Sequence, residues 1–327
     1  MTNNAKGSEL LEVSVSPHIK GKRTTQKIML DVIIALLPAA AAAIIIFGIR
    51  VLLLIAVSVL SCTLGELIFN KITKKPFTLS DLSAVVTGMI LALNVPASLP
   101  LWQLAFGSIA AICMVKGLFG GLGQNFANPA ATARVLLLVC FPAAMGQASE
   151  VVFADSGKLV SGATDLVSTA TPLTLISEGG TLPSVSDMLF GLHGTCAVGE
   201  TCVIAILIGF IYLLARKVIS WHTPVCFTAT VYILSLFVTA SASDSLYLVM
   251  SGGLLFGAVF MATDYATTPT SYLGKAVFGI GCGLITVLIR SFGSYPEGVS
   301  LSILLMNILT PYIERLCRRR PFGGVKQ

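Results

Sequence analysis

A hydroxyl-rich segment within residues 147–195 holds the side chains best suited to carrying a covalently attached group. It contains two similar patterns, Ser-Gly-Ala-Thr at 161–164 and Ser-Thr-Ala-Thr at 168–171. Serine and threonine hydroxyls are common in turns, because they bind the local backbone. A Ser/Thr-rich turn is therefore the plain structural interpretation of both copies, although membrane burial requires neither.

The residues around the second copy distinguish it from an ordinary turn. Asp165 lies three residues before Ser168, and Pro172 directly follows Thr171. Because a proline restricts the preceding residue to extended conformations, Thr171 is expected to present its hydroxyl away from the chain. The second copy is thus the preferred attachment site, and Thr164 at the end of the first copy stays an alternative.

Carboxylates inside apolar segments form a second group of candidates, since a charge in the hydrocarbon core is costly. Glu200 in Gly-Glu-Thr and Asp264 in Thr-Asp have short side chains that cannot reach far toward the membrane surface. Together with Asp81, they are predicted to lie on an ion path or to contact a flavin. The alternative for each is a satisfied hydrogen bond between packed helices. Glu66 belongs to the same group.

Basic side chains in the apolar segments have a simpler explanation. Lys116, Lys275 and Arg290 lie near predicted segment ends. There, a long side chain can extend to the membrane interface while its stem stays in the apolar region. Snorkelling is therefore predicted for these three residues, and Arg134 remains as a further intramembrane candidate.

The cysteines and histidines form no recognisable metal or haem site. None of the eight cysteines belongs to a Cys-x-x-Cys pair, so neither an iron–sulfur site nor a tetrahedral zinc site is spelled out. The three histidines, His18, His193 and His222, lack the spacing of ligands on one helix. We therefore predict no metal centre and no catalytic side chain, with the cysteines as small packing residues.

The composition requires a membrane environment. Of 327 residues, 55% are hydrophobic and 11% are charged, with a mean hydropathy of +0.89, whereas about a quarter of the residues of a soluble protein are charged. The basic residues flank apolar segments instead of forming stripes with aromatics, so no nucleic-acid binding is predicted. Residues 1–27 lack the apolar core of a signal peptide, and the first apolar segment is therefore expected to remain as a span.

Apolar segments near the length of about 20 residues that crosses the hydrocarbon core occur ten times, five on each side of the polar segment. They are 29–48, 51–70, 81–94, 101–118, 129–146, 196–215, 220–239, 245–263, 275–290 and 298–314. The second five would enter from the opposite side, as in an inverted repeat. The predicted fold is all-α and polytopic, with about ten transmembrane helices as two inverted five-helix repeats.

A faint internal echo supports the repeat. Phe-Gly pairs at 106–107 and 119–120 are followed in the second half by pairs at 278–279 and 292–293. Each set comes after a short stretch broken by a proline, Pro96 or Pro269. Interrupted segments at corresponding positions are typical of backbone that leaves the helix to line a buried site.

The positive charges predict the orientation, because short cytoplasmic loops are enriched in Lys and Arg. Basic residues near both ends put the N- and C-termini in the cytoplasm and the polar segment outside. The predicted division is a cytoplasmic segment 1–28, a first membrane repeat 29–146, an extracytoplasmic loop 147–195, a second membrane repeat 196–314 and a cytoplasmic basic tail 315–327.

Short motifs in a fixed order resemble the RnfD/NqrB family of membrane subunits, from the Rnf ferredoxin:NAD oxidoreductase and the sodium-pumping NADH:quinone reductase. They are Ser16-Pro17-His18, Leu37-Pro38, Asn125-x-x-Asn128-Pro129-Ala130, Arg134, Gly199-Glu200-Thr201, Ile219-Ser220-Trp221, Ala262-Thr263-Asp264, Tyr295-Pro296-Glu297-Gly298 and Leu305-Met306-Asn307. Their order and coverage carry the resemblance, which favours the RnfD type.

The resemblance implies a covalent flavin. In this family, FMN is joined through its phosphate to the last threonine of an Asp-x-x-Ser/Thr-x-Ala-Thr motif by a separate flavin transferase that uses FAD. On this sequence the motif is Asp165, Ser168, Ala170 and Thr171, with Thr171 as the acceptor. The family often has glycine before the alanine, where this chain has a threonine. The copy ending at Thr164 has that glycine but no aspartate three residues before its serine.

The same resemblance implies a subunit of a redox-driven ion pump that is not active alone. Electrons would pass between ferredoxin and NAD, coupled to Na⁺ or H⁺ translocation, while other Rnf subunits handle NAD and ferredoxin. The NqrB type also implies a noncovalent riboflavin. The expected location is the bacterial or archaeal cytoplasmic (inner) membrane, in contact with lipid. The alternatives are an NqrB-type subunit of an NADH:quinone reductase, and an inverted-repeat channel or transporter without a redox cofactor, because the fold resembles that of urea channels.

Overall fold

The computed structural model describes residues 24–75, 78–147, 182–192, 197–239, 241–293 and 298–317, together with residues 173, 175 and 176. Within these ranges the chain forms α-helices, short 3-10 and π-helical segments, and turns, and it forms no strand. The predicted all-α class is therefore confirmed.

The α-helices in these ranges follow one another with short connections. They are α1 (Thr25–Phe47), α2 (Ile49–Ile72), α3 (Ser83–Leu93), α4 (Leu101–Ala110), α5 (Pro129–Cys140), α6 (Pro142–Met145), α7 (Val185–Phe190), α8 (Val203–Ala215), α9 (His222–Thr239), α10 (Ala242–Met250), α11 (Leu254–Phe256), α12 (Tyr272–Phe292) and α13 (Val299–Leu316). Two of them continue as π-helices, α4 through Ala111–Gly117 and α11 through Gly257–Met261.

Among the described residues, five helices are long and apolar enough to cross a membrane: α1, α2, α9, α12 and α13. The helices Ala242–Met250 and Leu254–Met261 meet the same criterion as a bent pair. Four shorter apolar helices are α3, α5, α8 and the continuous helix Leu101–Gly117. These elements coincide with the ten predicted segments, so the protein is a polytopic membrane protein.

The predicted continuous span 245–263 is in fact broken. Gly252 and Gly253 follow α10 with φ angles of 68° and 67°, a left-handed conformation that residues other than glycine rarely adopt. Because this pair turns the chain, the helix Leu254–Met261 leaves at 58° to α10. The interruption in this half thus lies at the glycine pair as well as at the predicted proline-broken stretch.

Neighbouring helices approach each other closely at glycines. A methyl group on Gly88 of α3 would lie 2.8 Å from Val59 Cα of α2. A methyl group on Gly279 of α12 would lie 2.7 Å from the carbonyl oxygen of Thr223 in α9. Small residues allow such backbone contact between membrane helices, whose association depends on van der Waals packing. The glycines therefore fix the α2–α3 and α9–α12 pairs, one in each half of the chain.

The two halves meet through the helix pairs α1–α8 and α5–α13. Asp31 of α1 accepts a hydrogen bond from Arg216 Nε at the end of α8, at 3.2 Å. Arg134 of α5 donates to Ser300 Oγ of α13 at 2.9 Å and to the carbonyl oxygen of Asn94, at the end of α3, at 2.8 Å. An inverted repeat produces such pairing of first with first helix and last with last. The repeat boundaries themselves stay a prediction.

Candidate functional site

A buried ion pair joins α2 to the π-helical end of α4. Lys116 Nζ lies 2.7 Å from Glu66 Oε1, and the two residues are only 4% and 3% exposed. The predicted snorkelling of Lys116 is therefore wrong, because the carboxylate provides a partner for the ammonium inside the protein. Burying both charges costs desolvation, which is offset only where further hydrogen bonds complete the pair.

Hydroxyl groups extend this pair into a chain of hydrogen bonds. Lys116 Nζ donates to Ser83 Oγ at 2.6 Å, and Ser83 Oγ donates to Asp81 Oδ1 at 2.6 Å. Thr78 Oγ1 donates to Glu66 Oε1 at 2.5 Å. The predicted candidate Asp81 is thus linked to Glu66 through one hydroxyl and one ammonium. Chains of carboxylates and other ionisable groups inside membranes typically serve proton or ion transfer.

A small polar cavity of about 70 Å³ lies between the two halves. The hydrogen-bonding side chains that line it include Ser83, Lys116, Asn125, Asn128, Thr263 and Asp264. Its volume is enough for a few water molecules, but pockets for small organic ligands begin at about 300 Å³. In this conformation the cavity can hold water or a small cation, and it is too small for the ring system of a flavin.

Asp264, one of the predicted candidates, faces this cavity from the second half. Its Oδ2 accepts a hydrogen bond from Thr267 Oγ1 at 3.1 Å, and its side chain is partly exposed. Ser83 and Lys116 line the same cavity from the first half. The structure therefore brings Asp264 and the network that contains Asp81 to one shared space.

Glu200, the third predicted carboxylate, lies away from this cavity. It is buried at the end of the short 3-10 turn Val198–Glu200, and its Oε2 would lie 2.9 Å from a methyl group on Gly253. Gly253 precedes the helix Leu254–Met261, whereas Asp264 follows it. At 1.5 Å per residue this helix is about 12 Å long, so it separates the two carboxylates.

Arg290 closes the end of α10 next to the helix break. Its Nη1 donates to the carbonyl oxygen of Leu248 at 2.6 Å, and its Nη2 donates to those of Ser251 and Gly252 at 3.1 Å each. Snorkelling is predicted for Arg290, and it binds these carbonyls instead. A methyl group on Gly252 would lie 2.5 Å from Arg290 Nη2 and 2.6 Å from Leu173 Cδ1. Leu173 therefore packs beside Arg290 at the break.

The predicted attachment motif lies outside the described residues. This holds for Asp165, Ser168, Ala170 and Thr171, and also for the alternative acceptor Thr164. Their roles therefore stay predictions.

Two further charged residues are not among the predicted candidates. Asp31 pairs with Arg216 between the halves, and Arg50 donates from its Nε to the carbonyl oxygen of Ala97 at 2.6 Å and from its Nη2 to that of Leu99 at 3.2 Å. Both lie in or beside apolar segments, where a charge requires a partner. Their positions were thus a usable signal, although the sequence did not indicate which groups they bind.

Comparison with known proteins places the chain in a family. The model of the NQR2, RnfD, RnfE family matches residues 12–323. The D-type membrane protein of the Na⁺-translocating ferredoxin:NAD⁺ oxidoreductase complex of Acetobacterium woodii is 46% identical over 319 residues, covering 97% of this chain and 96% of that protein. Its counterpart in the proton-translocating complex of Clostridium ljungdahlii is 37% identical, covering 96% of each chain. The counterpart in the ion-translocating oxidoreductase complex of Stutzerimonas stutzeri is 36% identical, covering 92% of this chain and 93% of its own. The predicted resemblance is confirmed: this chain belongs to the NQR2, RnfD, RnfE family.

Proposed function

We propose that this chain is the membrane subunit of an Rnf-type ferredoxin:NAD⁺ oxidoreductase complex, and that it carries FMN on Thr171. Its relative in Acetobacterium woodii is named as part of such a complex, and the two chains match over nearly their full lengths. The segment from Asp165 to Thr171 is the observation that carries the flavin, because a simple channel has no use for it.

The described residues support an attachment point close to the helix break of the second half. Leu173 lies against Gly252, beside Arg290, and two residues of chain span at most about 7 Å. A phosphodiester on Thr171 would therefore be tethered near the Arg290 guanidinium, whose positive charge complements a phosphate group. When bound, FMN supplies the one- and two-electron chemistry that side chains lack. The chain anchors this group and keeps its local concentration high.

The rest of the proposal concerns partners and location. Other subunits of the complex bind NAD and ferredoxin, and a flavin transferase attaches the FMN. The chain lies in lipid in a bacterial or archaeal inner membrane, with both termini in the cytoplasm and the flavin loop outside. The basic residues near both termini support this orientation, because cytoplasmic segments are enriched in Lys and Arg.

An ion path between the halves completes the proposal. Asp264 and Lys116 reach the same cavity from opposite halves, and Lys116 connects that cavity to Glu66 and Asp81. Glu200 lies beyond the helix Leu254–Met261, beside the break. The path would thus lead along this helix and carry Na⁺ or H⁺. Relatives named for both ions belong to the family.

A noncovalent riboflavin is a separate proposal. The cavity between the halves holds about 70 Å³, so a flavin ring enters it only if the two halves move apart. Acid extraction of the purified protein, followed by chromatography, measures flavin that is not covalently attached.

A second candidate function is a channel or transporter without a redox cofactor. The broken helix at Gly252–Gly253 and the polar cavity between halves favour it, because interrupted helices around a central site are typical of transporters. A third is the NqrB-type subunit of an NADH:quinone reductase, which would retain the covalent flavin but depend on quinone instead of ferredoxin.

Covalent flavin distinguishes these functions. The protein is produced together with the flavin transferase, denatured and examined for flavin fluorescence on a gel, and the peptide covering 147–195 is weighed by mass spectrometry. We expect an FMN adduct that Thr171→Val abolishes, because the acceptor hydroxyl is lost. Thr164→Val is the matched control and is expected to keep the fluorescence.

Three outcomes contradict parts of this proposal. Fluorescence that survives Thr171→Val and disappears with Thr164→Val moves the acceptor to the first copy. A complete lack of covalent flavin favours the channel function. Electron transfer that requires quinone and is independent of ferredoxin favours the NqrB-type subunit.

A further inference from the structure

The turn between the Leu101–Gly117 helix and α5, residues 118–126, exposes apolar side chains outside any helix. Leu118 is 69% exposed, Phe119 49%, Leu122 38% and Phe126 40%. Exposed apolar residues on the spanning helices face lipid, but these four residues follow the end of a helix. A contiguous apolar patch rimmed by polar residues marks an interaction site.

This turn has a shape fixed by its own residues. The rings of Phe119 and Phe126 pack against each other with centroids 4.6 Å apart. Gly120, Gly121 and Gly123 have φ angles of 113°, 107° and 90°, which other residues rarely adopt. The apolar patch is therefore preorganised, so that a partner binding it loses little conformational entropy.

Exposed lysines lie beside this patch. Lys71, Lys74 and Lys75 follow one another at the end of α2, and Lys75 Nζ donates to the carbonyl oxygen of Gly117, at the base of the turn, at 3.3 Å. Within the described part of the chain, none of the three forms a salt bridge with a carboxylate. The surface thus has an apolar centre and a positive edge.

We propose that the 118–126 turn is a docking surface for another protein, a subunit whose apolar recess is bordered by acidic residues. Aromatic anchors in the centre and complementary charges at the rim are typical of protein interfaces. Anionic lipid headgroups also attract lysines and aromatic rings. A fluid lipid surface does not, however, require the paired rings and glycine-fixed backbone of this turn, and these features favour a protein partner.

The experiment uses the whole complex, purified through a tag on this chain, with each component quantified by mass spectrometry relative to the tagged chain. Phe119→Ala combined with Leu122→Ala is expected to lower the recovery of one subunit by about tenfold, as loss of central interface residues does. Phe237→Ala is the matched control, since Phe237 is 82% exposed on α9 and is expected to leave every subunit at its normal ratio.

A second variant changes charge without touching the packed rings. Lys71→Glu combined with Lys74→Glu is expected to lower recovery of the same subunit, with a larger loss at low ionic strength, because the rim then repels an acidic partner. Normal recovery of every subunit in both variants overturns the proposal. Normal recovery with weaker binding to vesicles containing phosphatidylglycerol overturns it as well and assigns the turn to lipid.

Discussion

Lys116 carries a positive charge inside the membrane domain because three groups share the task of stabilising it. Glu66 supplies the negative charge, Ser83 accepts a second hydrogen bond, and the π-helical segment places the lysine between α2 and α3. The sequence indicated that Lys116 and Glu66 each needed an explanation. It did not indicate that they explain each other, because the pairing depends on a contact between residues 50 positions apart.

Removing one member of this pair should destabilise the protein more than removing both. Glu66→Gln leaves a buried ammonium without its carboxylate, and we expect a loss of about 3–5 kcal/mol in the free energy of unfolding. The double variant Glu66→Gln with Lys116→Gln should lose less than either single variant. Thermal unfolding in detergent micelles measures this difference.

The Asp31–Arg216 pair is the control for this comparison, since the Arg216 side chain is 56% exposed. Arg216→Gln should change stability by no more than about 1 kcal/mol, as for other exposed ion pairs. A double variant of the buried pair that loses as much as the sum of its single variants would contradict the expected coupling.

Asp264 and Glu200 should differ in their effect on ion transport. Only Asp264 borders the cavity shared by both halves, so Asp264→Asn should lower ion uptake per electron transferred more than Glu200→Gln does. Uptake into inverted membrane vesicles during ferredoxin oxidation, measured with sodium and with a pH dye, gives both the ratio and the ion. Equal effects, or a larger effect of Glu200→Gln, would place the ion path elsewhere.

At the scale of elements, the apolar segments predicted the helices well because membrane thickness dictates their length. The end of α3 at Asn94 was also predictable, since Pro96 follows it. The bend after α10 was not, because it depends on Gly252 and Gly253 adopting left-handed conformations, and glycine elsewhere in the same spans is helical. Composition gives the number of spans, whereas tertiary packing decides which glycines turn the chain.

Close packing of α3 on α2 yields a further prediction. Gly88→Ala introduces a methyl group 2.8 Å from Val59 Cα, so the helices must separate, and we expect a loss of about 1–3 kcal/mol in unfolding free energy. Gly65→Ala is the matched control, because the nearest atom to its methyl group lies 3.8 Å away. Its stability should stay unchanged or rise by up to about 1 kcal/mol through helix propensity. Equal losses, measured by thermal unfolding in detergent, would show that the contact is not tight in solution.

At the scale of the whole molecule, the orientation in the membrane is the property that the remaining proposals share. Single cysteines at Ser168 and at Lys326, introduced into a variant without native cysteines, should react differently with a membrane-impermeant maleimide applied to intact cells. Ser168→Cys should be labelled directly, whereas Lys326→Cys should be labelled only after the membrane is opened. The reverse pattern would put the flavin loop in the cytoplasm and remove the basis for the proposed topology.

The Arg134–Ser300 bond also has a consequence for biosynthesis. Its two residues are 166 positions apart, and ribosomes add about 5–20 residues per second. Arg134 therefore enters the membrane roughly 10–30 s before its hydroxyl partner is synthesised. During that interval a guanidinium near the lipid core depends on the Asn94 carbonyl or on assistance from the insertion machinery. The nascent first half is thus the stage at which quality-control proteases have the longest access to this protein.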